Sequence, residues 1–331
     1  MRVLVAGGSG VIGQRLLPQL VERGHEVIAT TRSPQKSDSL RALGAVPVVM
    51  DGLDAGSVGE AVARAEPDVI VHQMTALTGV GDLRHFDEEF ALTNELRTRG
   101  TNYLMTAAEA LGVRRFVAQS YTGWPNAREG GAVKSEDDPL DPRPPAGQHK
   151  SLDAIRCLEQ AVVGSTALDG FALRYGSLYG PGSSTAKEYA QLIRDRKLPI
   201  VGSGGGVWSF VHVDDAAAAS VAAVERDAPG VYNIVDDEPA PVSEWLPYLA
   251  ECLGAPPPRH VPAWLARFAV GEVGISMMTQ IRGSSNAKAK RQLGWEPTWK
   301  SWRDGFRHAF DDPGSDARER TSEGRRAPSP V

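Results

Sequence analysis

The chain has 331 residues, enough for about two domains or one large α/β domain, and its 41% apolar and 23% charged residues suit a folded globule, not a disordered chain. Lys and Arg number 36 against 41 Asp and Glu, and the resulting net charge of −5 argues against nucleic acid as the main partner, because counterion-release binding needs a basic face. The two cysteines, Cys157 and Cys252, are too few for a disulfide framework or a structural zinc site; with no bilayer-length apolar run and no charged leader, the expectation is a cytoplasmic protein with no membrane contact.

Residues 2–6 (RVLVA) are a short β-branched run, GGSGVIG follows, and RLLPQLVERG carries apolar residues at helical spacing, which predicts strand, tight turn and helix. Gly7, Gly10 and Gly13 stand between strand and helix in a GxxGxxG spacing. Small residues there let the backbone turn sharply and approach a pyrophosphate, while the first helical turn, with Val11 and Ile12, offers free N–H groups and the positive dipole end. The second strand, HEVIATT, runs to Arg32. Folds that bind NAD place an acidic residue at this point, whereas Thr30, Thr31, Arg32, Ser33 and Lys36 suit a 2′-phosphate, so the expected cofactor is NADP(H), with NAD(H) the alternative. Residues 45–54 read as a third strand with Asp51 beside the adenine and Gly52 and Leu53 covering it. Residues 67–76 read as a fourth, whose end at Thr75 and Ala76 lies against the cofactor at the carboxyl edge of the sheet. A long helix over roughly 85–111 and a strand over 114–120 follow.

Taken in order, GGSGVIG, VHQMTA, GTNYLMTAAEALGVRRFVAQS, LRYGSLYGPG (173–182), FVHVDD (210–215), GVYNIVDDEP (230–239) and AKAKRQLGWEP (287–297) resemble the extended short-chain dehydrogenase/reductase superfamily, the NAD(P)-dependent epimerase/dehydratase group, over about residues 1–310. The resemblance implies an α/β fold with a Rossmann-type doubly wound parallel sheet and a smaller C-terminal substrate-binding domain. The expected division is 1–175 for the NAD(P)-binding domain and 176–311 mostly for the substrate domain, with some returns to the sheet. By the same resemblance, Ser120 matches the family's partner of the substrate hydroxyl, Tyr175 stands beside the nicotinamide with Gly176 and Ser177 against the ring, and a homodimer is possible through the helices around 85–111 and 149–167.

The family's Tyr-x-x-x-Lys pair is missing. With Glu159 as anchor, Ser151 stands at the Tyr position and Ile155 at the Lys position. The family's Lys holds the nicotinamide ribose and lowers the Tyr pKa, which neither Ser nor Ile can do. A second departure is Arg97, three residues before Gly100-Thr101, where the family has Asn, while Asn94 lies one turn earlier. Tyr121, directly after Ser120, is a candidate acid/base or substrate-orienting group, and His149 a candidate base, each set against a plain packing or surface role.

In the second half, residues 198–213 read as two short strands around a Gly-rich turn, a hairpin over the substrate pocket. Lys134 and the acidic segment after it read as a solvated loop, Asp214 and Asp215 as helix-terminus acids with no metal, and residues 262–283 as a helical lid, a pocket wall or plain core. Trp208 hints at a less anionic, more apolar substrate. Residues 312–331 have no aromatic residue and no Leu or Ile, and read as a disordered tail. Two functions remain open. One is an NADP(H)-dependent reductase, epimerase or dehydratase acting on a small carbonyl or hydroxyl substrate, including a non-standard or non-redox variant. The other is a non-catalytic NADP(H)-binding sensor or regulator.

Overall fold

The structure, a computed structural model, describes residues 1–77, 81–183 and 188–311. The first five strands are β1 (Arg2–Ala6), β2 (Glu26–Thr31), β3 (Val46–Val49), β4 (Val69–His72) and β5 (Arg115–Tyr121). With the strands Asp169–Tyr175 and Gly230–Ile234 they form one seven-stranded sheet in which every pairing is parallel. From β1 the order runs outward through β2 and β3 on one side and through β4, β5, Asp169–Tyr175 and Gly230–Ile234 on the other. The direction of winding therefore reverses between β1 and β4, and the crevice over their carboxyl ends is where open α/β sheets bind ligands.

The strands are apolar on both faces because helices cover both. Alternate residues sort the core. Val3, Val5, Val27, Val71, Val117 and Phe171 pack toward the helices Val11–Glu22 and Val213–Glu225, while Leu4, Ile28, Ile70, Phe116 and Ala118 pack toward Ala55–Ala65 and Thr101–Ala110. A third cluster, with Trp124, Ile155, Trp208, Phe210, Trp245 and Trp302, joins the helix His149–Val163 to the C-terminal elements. Two elements beyond residue 200 join the sheet region: the helix Val213–Glu225 packs on it, and Gly230–Ile234 forms its edge strand. The tail expected from 312 lies outside the described residues.

Several local expectations change. The long helix over 85–111 is broken into Phe86–Glu89, Ala91–Glu95 and Thr101–Ala110, the last two joined by a widened π-type turn, Leu96–Gly100. The hairpin over 198–213 does not form: Ile200–Val201 pairs with His260–Val261, and Val207–Trp208 with Ala240–Pro241. Gly202 and Gly204, at φ of 56° and 62°, steer the chain between those separate partners. Lys134 is buried, not solvated; its ammonium donates to the Glu129 carbonyl at 2.6 Å and faces Asp138 at 3.3 Å, beneath the pairing of Val133–Lys134 with Gly283–Ser284. Asp215 accepts the Thr298 and Trp299 amides at 2.9 and 3.0 Å, so it ties down the C-terminal segment. Among the described residues no helix is long and apolar enough to cross a membrane, and no group of His, Cys, Asp or Glu could hold a metal ion.

Candidate active site

The turn after β1 is built on close approach. Gly7 has a φ of 92°, and a Cβ there would lie 2.9 Å from the Gln73 backbone. A Cβ on Gly13 would stand 2.5 Å from the Gly8 carbonyl oxygen, so the helix can pack this near the turn only with glycine. Gly10 caps the helix without a side-chain bond, and the first helical hydrogen bond is from the Gln14 amide to Gly10 O at 3.0 Å. The amides of Val11, Ile12 and Gly13 thus point past the helix end, and Gly10, Val11 and Ile12 line the adjoining cavity. This Cβ-free cradle with open amides fits a dinucleotide pyrophosphate.

At the end of β2, Thr30 Oγ1 accepts the Gly7 amide at 3.1 Å and Ser9 Oγ donates to Thr31 Oγ1 at 3.3 Å, so both threonines are spent on bracing the turn. Arg32 is exposed, with no hydrogen bond or ion pair among the described residues. Asp51 turns its carboxylate onto the Leu53 amide at 3.0 Å and shapes its own loop, while Gly52 is buried against Met74. Thr75 lines the cavity, and the Ala76 amide is held by Thr93 Oγ1 at 3.1 Å.

The cavity itself, about 530 Å³, opens along the carboxyl edge of the sheet. Ser120, Tyr121, Gly176 and Ser177 line it, together with an apolar wall of Phe86, Phe90, Trp124, Trp208 and Met277. The Tyr121 and Ser177 hydroxyls share a hydrogen bond at 3.1 Å, and burial raises the Tyr121 pKa against the pull of Ser177 and Arg97. Ser120 Oγ donates to Glu159 at 2.7 Å, and Glu159 is gripped by Arg174 through two bonds of 2.8 and 2.7 Å. Tyr175 also borders the cavity, but its hydroxyl is shared with Ser220 at 2.7 Å and receives Gln73 Nε2 at 3.0 Å; burial pushes its pKa up to about 12, which leaves it a poor acid at neutral pH.

The positions of the missing pair hold something else. Asp87 accepts the Lys150 and Ser151 amides and the Ser151 hydroxyl, at 3.0, 2.8 and 2.6 Å, so Ser151 belongs to a cap on its helix. Ile155 is fully buried in the apolar cluster beside Trp124. His149 is exposed on the first turn of that helix and is absent from the cavity wall, because the turn that buries Ser151 faces it outward; the geometry gives it no catalytic position. Arg97 was visible in the sequence only as a departure from the family pattern, yet it is 5% exposed and lines the cavity. Gln73, which the sequence reading passed over, lines it too, with a buried Oε1 that has no partner. A larger hollow, about 690 Å³, bordered by Glu109, Arg114, Ser165 and Asp169, lies at the opposite, amino edge of the sheet and away from the switch point.

The pattern of the NAD dependent epimerase/dehydratase family matches residues 3–235. Among curated proteins, the chain is 46% identical over 309 residues to a 3-diazoavenalumate denitrifying reductase of a Streptomyces species, covering 92% of this chain and 99% of the relative. It is 28% identical to the 2-alkyl-3-oxoalkanoate reductase of Stenotrophomonas maltophilia, covering 82% of each. Among solved structures, a UDP-glucose 4-epimerase of Thermotoga maritima superposes with a TM-score of 0.74 at 22% identity, covering 97% of this chain and 100% of that one.

Proposed function

The chain belongs to the NAD dependent epimerase/dehydratase family, and we propose that it is an NADP(H)-dependent reductase for a conjugated, electrophilic small molecule whose reduction needs no proton from a Tyr/Lys pair. One observation carries this reading: the positions of that pair are filled by Ser151 in a helix cap and Ile155 in the core, while the cavity beside them stays open and aromatic-walled. A family member that reduced a ketone would need a group to protonate the nascent alkoxide. A substrate that carries its own leaving group would not.

The relative at 46% identity supports such a substrate, since its name gives a diazo acid anion as the compound and reductive loss of nitrogen as the reaction. When bound, the dinucleotide would supply a hydride, which can replace dinitrogen at the ring carbon of an aryl diazonium cation (Ar–N2⁺ + H⁻ gives Ar–H + N2) with no added proton. The protein's part is to hold and orient. The amides of Val11, Ile12 and Gly13 take the pyrophosphate, Arg32 the 2′-phosphate, and Thr75, Gly176 and Ser177 the nicotinamide side. Ser120 and Tyr121 fix the reacting end of the substrate, Ser120 being itself fixed by Glu159. The apolar wall excludes water, which would otherwise compete for the diazo carbon.

The test is NADPH consumption with a diazo-substituted aromatic carboxylate, dinitrogen being measured in the same vessel, beside a panel of ketones and aldehydes. Equimolar NADPH loss and dinitrogen release, with the carbonyl panel inert, is the expected result. Rapid turnover of a simple ketone, or NADPH binding with no turnover of any compound, would overturn the reading, the latter in favour of a sensor.

A further inference from the structure

Arg97 sits on the widened turn Leu96–Gly100, in the cavity wall, where the sequence pattern of the family would put a neutral amide. Its surroundings leave the charge unanswered. The one hydrogen bond to its guanidinium's Nη1 is a long one, 3.4 Å, to the Asn94 side chain, and Nε is buried with no partner. Glu159, the carboxylate that acts on it, is already engaged by Arg174 and Ser120. Burial pushes the Arg97 pKa down to about 10, which still leaves it charged at neutral pH. A buried guanidinium without a full set of acceptors is costly, and the cost is recovered when an anion with oxygen acceptors arrives. Among the described residues the other charged member of the cavity wall is Glu188, which has an interaction of its own. The wall also carries aromatic rings: Tyr121 and Trp124 lie within 29° of parallel and offer a face to a planar ligand, Phe86 and Phe90 stack on each other, and Phe86 stands edge-on to Trp124 at 77°.

We infer that Arg97 is the substrate anchor: it binds a single oxyanion, carboxylate or phenolate, on a planar conjugated molecule that lies against the aromatic wall. This rests on the reading of the cavity as the substrate site. It goes further in assigning the charge, the shape and the residue that selects them.

Titration calorimetry on the full chain, with and without saturating NADP⁺, tests it. The ligands are cinnamate against cinnamamide and 4-nitrophenolate against 4-nitroanisole, each pair alike in shape and different in charge. At least one anion is expected to bind roughly tenfold or more tightly than its neutral partner, the factor that one charge-assisted pair supplies. Arg97→Gln should abolish that preference and Arg97→Lys should retain part of it. The pair that shows the preference tells carboxylate from phenolate. Equal binding within both pairs, no binding of either anion, or a preference that survives in Arg97→Gln overturns the inference. The comparison in the unsubstituted protein stands even if the Gln variant does not fold. Failure of NADP⁺ to bind sinks the proposed function instead; NADP⁺ binding without charge preference sinks only this assignment.

Discussion

Glu159→Gln is the substitution that most directly probes how the site is held. Glu159 is 7% exposed, Arg174 6% and Ser120 4%, and the carboxylate accepts three bonds of 2.7 to 2.8 Å from the two of them. These bonds tie the helix His149–Val163 to β5 and the strand Asp169–Tyr175, at the edge where Ser120 meets the cavity. Glutamine keeps the shape but not the charge. Arg174 becomes a buried cation with no anion, and Arg97 loses the carboxylate whose field raises its pKa. Breaking one side of a buried pair costs about 3–5 kcal/mol. With about 2.1 cal/mol/K per residue over roughly 300 folded residues, the melting entropy is about 0.6 kcal/mol/K, so the midpoint should fall by about 5–8 °C. Scanning calorimetry, paired with tryptophan fluorescence to check for a single transition, measures it. Glu159→Leu combined with Arg174→Met should recover at least about half of the loss, because no half-pair is left in the core. A midpoint within about 1 °C of the parent for Glu159→Gln would refute the view that the pair organises this edge.

The remaining predictions concern pH and cofactor. His72 is buried, its Nε2 facing the Leu96 carbonyl at 3.3 Å and its Nδ1 accepting the Met74 amide at 3.2 Å, and burial lowers its pKa from 6.5 to about 4. The fold keeps the ring neutral while the unfolded chain takes up a proton below about 6.5. His72 therefore adds stability above that pH, and up to about 3 kcal/mol of it is lost as pH falls toward 4. Urea unfolding at pH about 7.5 and about 4.5 should show a smaller acid loss in His72→Gln than in the parent, and equal losses would contradict the assignment. Asp236, raised by burial, acts in the opposite sense but equally in both proteins, so the comparison removes it. Gly13→Val would drive a side chain into the Gly8 carbonyl and push the helix from the turn; NADPH binding should weaken by at least about tenfold in fluorescence titration, and the unfolding midpoint should fall as well. Arg32→Glu should reverse the coenzyme preference, lowering NADPH affinity by roughly tenfold or more while sparing NADH, as read from paired titrations.

The nucleotide half of this molecule was legible in the sequence because its signals are local. β1, the glycine turn and the first helix occupy consecutive residues, and β2 follows with its end marked by polar residues. The loss of the Tyr/Lys pair was legible for the same reason. What fills the vacancy was not: Ser151 is capped by Asp87, 64 residues earlier in the chain, and no spacing announces that bond. Arg97 stood out as an odd residue, but its burial and the Tyr121 and Glu159 groups that act on its charge come from the tertiary fold, not from its own segment. Lys134 was misread because acidic neighbours made its segment look solvated, whereas its strand partner, Gly283–Ser284, lies about 150 residues on. His149 misled in the other direction: a titratable residue at a helix start is a reasonable base until the facing of that turn is known.

The central claim is that reduction here proceeds on a substrate that supplies its own leaving group. A single-turnover reaction of the protein with NADPH deuterated at C4 and a diazo-substituted aromatic carboxylate, read by mass spectrometry, tests it most directly. One deuterium is expected in the product at the carbon that bore nitrogen, with one dinitrogen released per NADPH consumed. Product without deuterium, or deuterium recovered only in an alcohol from a carbonyl compound, would contradict it.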